Sequence, residues 1–184
     1  MLNTFEVPRC SGRESARRIS KVKNRKRSWL AMFIALSAAG AFIKIPAVID
    51  SVALDALPAL VAAGLLGGPA GAVVGGIGHL VSAMAAGMPL GPFHFLAAGE
   101  MALLVYLFGI LYKNGKRWPA GALFIMGNSF AAPLPFIMLM GTSFYIAIVP
   151  SLFLGSILNT ALAFVILPRV ARVIGDSLPF SRQA

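Results

Sequence analysis

The sequence predicts an all-α integral membrane protein of six transmembrane helices, with both its N- and C-termini on the cytoplasmic side. Three observations carry that prediction. Of the 184 residues, 58% are hydrophobic and only 12% charged, with a mean hydropathy of +0.83, so lipid is the solvent for most of the chain. The net charge is +10, but the basic residues gather in a first segment (Arg9 to Arg27), in one loop (Lys113, Lys116, Arg117) and in a tail (Arg169, Arg172, Arg182). That is the distribution of a positive-inside membrane protein, and it argues against nucleic-acid binding. Finally, Pro and Gly clusters divide the apolar sequence into stretches close to the roughly 20 residues that cross a hydrocarbon core of about 30 Å.

Residues 1–28 are polar, basic and without apolar periodicity. They read as a disordered cytoplasmic tail in contact with anionic lipid headgroups. A basic segment before an apolar run also has the form of a signal peptide, but the run is too long and too many spans follow, so a retained signal-anchor is expected. The membrane domain occupies 29–172, and 173–184 form a second cytoplasmic tail. Span 1, 29–45, opens at Trp29 and places Ala31, Ala35 and Ala39 on one smooth face, where another helix can approach closely. Pro46 then breaks the helix.

The stretch FIKIPAVIDSVALDALP (42–58) sets Lys44, Asp50 and Asp55 between two apolar runs. Helix 2 starts after Asp55, because Pro58 is tolerated only in a first turn, and ends at Gly67-Gly68. At about 1.5 Å per residue it spans roughly 18 Å, short of the core. Backbone 45–54 is therefore expected to dip into the membrane beside a cavity. Span 3 opens at Pro69, and Gly67, Gly71 and Gly75 at spacing four predict a tight hairpin of helices 2 and 3. Span 4 (93–112) carries His94 and Glu100. Span 5 (118–140) is interrupted by Pro133 and Pro135, and span 6 (144–167) carries Asn159 and Thr160.

No catalytic constellation is present. Neither histidine stands in a zinc-helix pattern, and neither a GxSxG elbow nor a GxxxxGK[ST] phosphate loop occurs. The chain is therefore expected not to be an enzyme, and no metal site or cofactor is expected. Cys10 is the single cysteine and has no partner for a disulfide or a metal. What remains is a set of isolated polar groups on the outer halves of the helices. An ionised Glu100 on an apolar helix would cost several kcal/mol without a partner, so a hydroxyl-rich ligand, Lys44 or His79 is expected to face it. Asp55 is either a helix cap alone or also a ligand acceptor. Lys44 either snorkels to headgroups or pairs with Asp50 or Asp55. His79 reads as a hydrogen-bonded core histidine or a ligand contact, and His94 joins it as a candidate. Asn128 and Asn159 are bridges between helices or contacts to a ligand. Phe93, Phe95, Phe144 and Tyr145 are an interfacial belt or a stacking surface for a planar ligand.

The segments AMFIA (31–35) with its continuation to Ala39, FIKIP, SVALDALPAL, GGPAGAVVGGIGHLVSA and GMPLGPFHFL leading to Glu100 follow one another in an order that resembles a known family. Across 29–172 the chain is similar to the S components of energy-coupling factor (ECF) transporters, and most like the α-ribazole-specific type. The resemblance implies a multi-pass subunit of the cell membrane that captures a vitamin or vitamin precursor. Uptake would be driven by two partner ATPases through a membrane T component. Ala31, Ala35 and Ala39 would meet the T component, and Asp55 and Glu100 would accept hydrogen bonds from ribose hydroxyls. Riboflavin and pantothenate S components share the architecture, and a self-sufficient transporter is the reading from another class. The long basic tail departs from the family pattern.

Overall fold

The computed structural model describes residues 12–46 and 51–174; Asp50 and the side chain of Lys44 lie outside the described residues. Helix α1 (Gly12–Ala41) leads into a small antiparallel hairpin of β1 (Lys44–Pro46) and β2 (Ser51–Ala53), with Ile45 opposite Val52. Then come α2 (Ala56–Leu66), α3 (Gly68–Ala85), a 3₁₀ turn (Gly91–Phe93) and α4 (His94–Lys113). The chain closes with α5 (Arg117–Met126), a π-helical turn (Gly127–Ala131), α6 (Leu134–Met140) and α7 (Thr142–Ile174).

Among the described residues, four stretches are long and apolar enough to cross a membrane: Gly68–Ala85, Gly91–Lys113, Arg117–Met140 and Thr142–Val173. Helix α2 is apolar but shorter, with 11 residues. Its burial explains how so short a helix is accommodated. Leu60, Ala62 and Ala63 are fully enclosed, and α1, α3, α4 and α7 all pack on it, so α2 is the axis of the bundle. A helix apolar all round is stable where protein covers every face.

Close approach is built from glycines. A methyl at Gly71 would overlap Ala63 of α2, which is the tight hairpin expected from the glycine spacing. Gly75 departs from that expectation, because it faces Val105 and Met101 of α4. Gly109 of α4 meets the backbone of Gly68, so α3 is pressed on both sides. Gly67 sits at φ +95° between α2 and α3, a backbone that a side chain would strain.

Two local expectations are corrected. Residues 12–28 are helical and continuous with the apolar part of α1, in place of the irregular tail expected from their polarity. The segment is rich in Arg and Lys, good helix formers, and extending an existing helix avoids the cost of nucleation. The break in the fifth apolar run begins at Gly127, before the prolines. Pro133 and Pro135 cannot donate to the carbonyls behind them, and the backbone answers with a wider turn in which Ala132 N–H reaches the Gly127 carbonyl at 2.8 Å.

Candidate binding cavity

The packing leaves a cavity of about 520 Å³ at the end of the bundle that holds β2, the N-terminus of α2 and the α3–α4 loop. That is within the usual range for small-molecule sites. Its longest wall is a single face of α7: Phe144, Ala147, Ile148, Ser151, Leu152, Gly155, Ser156 and Asn159 recur at steps of three and four. Helix α4 contributes Ala97, Glu100 and Met101 at the same steps, and α3 contributes His79. Phe124, Asn128 and Phe136 come from α5, the π turn and α6.

The polar end is organised by Asn159. Asp55 occupies the N-cap position of α2, but its side chain makes no capping hydrogen bond. Instead Asn159 Oδ1 accepts the Leu57 N–H at 2.8 Å, and Asn159 Nδ2 donates to the carbonyls of Ala53 at 3.1 Å and Gly155 at 2.8 Å. The capping role is thus filled from α7, and the β2–α2 junction is pinned to that helix. From the other side, the Ser37 hydroxyl of α1 donates to the Asp55 carbonyl. The carboxylate of Asp55 is left on the cavity wall, where Glu100 also stands. Glu100 Oε2 is buried without a hydrogen-bond partner among the described residues.

The π turn delivers Asn128 and Ser129 to α7. Asn128 Nδ2 donates to Ser156 Oγ at 2.9 Å, while Ser156 donates to the Leu152 carbonyl at 2.7 Å. Asn128 therefore bridges helices and lines the cavity. Three phenylalanines line the cavity: Phe136 and Phe144 lie 6.1 Å apart by ring centroids, and Phe124 packs edge-on against Phe108.

Of the residues singled out from sequence, Asp55, Glu100, His79, Asn128, Asn159 and Phe144 meet in this one cavity. Three others stand behind the wall. Phe93 packs edge-on against Phe136 at 6.4 Å and supports the ring that lines the site. Tyr145 Oη donates to the Phe130 carbonyl at 3.2 Å, bracing the break between α5 and α6. His94 contacts His79 and the α3–α4 loop. Phe95 is 65% exposed and points away. Ala31, Ala35 and Ala39 are all exposed on the outer face of α1. Ser151, Ser156, Phe124 and Phe136 were missed, although Ser151, Gly155 and Asn159 at spacing four are a small, polar stripe legible on α7.

The sequence model of the family described as ECF transporter, substrate-specific component matches residues 29–180, and the chain belongs to that family. It is the substrate-binding subunit of an ECF-type transporter, a class of protein that binds small molecules and works with a T component and ATPase modules. The fold is similar to the solved S component of a bacterial ECF transporter, with a TM-score of 0.60 at 21% identity over 83% of this chain and 98% of that one. No curated protein sequence matches significantly.

Proposed function

We propose that this S component captures a vitamin or vitamin precursor from outside the cell, with α-ribazole, a dimethylbenzimidazole nucleoside used in cobalamin salvage, as its substrate. The observation that carries the reading is the meeting of two carboxylates, Asp55 and Glu100, with a phenylalanine surface in one cavity. A nucleoside has the matching halves. Its ribose hydroxyls donate to carboxylates, and its flat, methylated ring stacks on Phe136 and Phe144.

In this reading the chain crosses the membrane six times with both termini in the cytoplasm. The end of the bundle carrying Lys113, Lys116, Arg117, Arg169 and Arg172 faces inward, by the positive-inside rule, and the cavity end faces outward. The exposed alanine face of α1 is the docking surface for the T component, because small side chains let a second helix approach within van der Waals contact. ATP is hydrolysed by the partner ATPases, and this subunit binds without catalysing. Mass spectrometry of the small molecule that copurifies with the protein tests the assignment. α-Ribazole is the expected mass, whereas a different vitamin, such as riboflavin or pantothenate, would replace it as the substrate.

A further inference from the structure

The two histidines of the chain stand in contact, His79 on α3 and His94 at the start of α4, and a loop amide fixes the order of their protons. The Leu90 N–H faces His94 Nε2 at 3.2 Å. A backbone amide can only donate, so that nitrogen is an acceptor and a neutral His94 carries its proton on Nδ1. His94 Nδ1 in turn faces His79 Nε2 at 3.4 Å. Two N–H groups cannot point at each other, so His79 Nε2 accepts, and the proton of a neutral His79 is on Nδ1. That Nδ1 is buried and has no partner among the described residues, while His79 itself stands on the cavity wall.

We infer that His79 is a specificity-determining donor: the chain from Leu90 N–H through His94 holds its proton on Nδ1, offered to a hydrogen-bond acceptor on the bound ligand. The cavity's two carboxylates accept hydrogen bonds when ionised, so they select for hydroxyl or amine donors. His79 supplies the complementary requirement, an acceptor atom such as an unsubstituted ring nitrogen or a carbonyl. A ligand lacking that atom leaves the buried N–H unpaired and is discriminated against on that ground. His94 is a positioning residue, since it acts only through His79. The ligand contact rests on the reading of the cavity as the substrate site; the proton order does not.

Because the chain has only two histidines, ¹⁵N-histidine labelling of the whole protein in lipid nanodiscs gives a spectrum of these two rings alone. Both rings are expected neutral and protonated at Nδ1, the less common form of a free imidazole. His79 protonated at Nε2, or at both nitrogens, overturns the inference. Binding supplies the second readout, with α-ribazole and its 5,6-dimethylindole counterpart, which lacks the ring acceptor, as probes. His79→Leu, which carries no N–H donor, is expected to weaken α-ribazole by about 10- to 100-fold, while wild type binds the indole counterpart as weakly as the variant binds α-ribazole. Equal affinity of wild type and His79→Leu for α-ribazole overturns the donor role. If wild type binds neither probe while both rings carry Nδ1 protons, the substrate assignment fails and the proton order stands.

Discussion

Asn159 of α7 caps α2 across the bundle, its Oδ1 accepting the Leu57 N–H at 2.8 Å. The two residues are 102 positions apart, and their bond fills the capping role that the sequence assigns to Asp55. The orphan amide at the start of α2 is satisfied by an amide side chain, so a carboxylate need not turn inward to do it. Asp55 then stands at the helix N-terminus with its side chain available to the cavity, where the positive end of the helix dipole favours an anion.

Removal of this clamp leaves the Leu57 amide and the Ala53 carbonyl without their partner. Asn159→Ala is expected to destabilise the purified protein by about 2–4 kcal/mol, read as a lowered midpoint of thermal unfolding in detergent. An unchanged midpoint would mean that water or Asp55 substitutes for the lost amide.

Two glycines on α4 separate packing from propensity. A methyl at Gly109 would lie 2.6 Å from Gly68 Cα and 2.7 Å from Gly68 N, a backbone that cannot yield without moving α3. Gly109→Ala is expected to cost about 1–3 kcal/mol. At Gly99 nothing lies within 4 Å of the added methyl, and Gly99→Ala is expected to be neutral or stabilising by up to about 1 kcal/mol. Thermal unfolding of the two variants side by side checks the contrast.

Ala35→Trp places a large ring on the exposed face of α1, away from the cavity. In the proposed assembly this variant binds α-ribazole as wild type does but supports no uptake in cells that carry the T component and ATPases. Normal uptake would remove the alanine face from the docking surface.

Much of this architecture is visible in the order of residues. Pro58 and Gly67 delimit α2, and the isolated acidic and amide groups Asp55, Glu100 and Asn128, with His79, lie on one cavity because polar groups on apolar helices have few places to go. The positions of the aromatic rings are not legible in the same way. In a lipid-embedded helix both the inward and outward faces are apolar, so Phe93, Phe95, Phe136 and Phe144 look alike along the chain and differ only in what packs on them. Tyr145 depended on a carbonyl near a helix break whose starting point, Gly127, precedes the prolines that cause it. The clamp by Asn159 joins elements more than a hundred residues apart, beyond the reach of local pattern.

The most direct test of the binding cavity is a calorimetric titration of the purified protein with α-ribazole, wild type beside Glu100→Gln and Asp55→Asn. Each substitution retains the shape of the side chain and removes its charge. Each is expected to weaken binding by about tenfold or more, the loss of a charge-assisted hydrogen bond. Wild-type affinity in both variants would contradict the account and place the substrate away from these carboxylates.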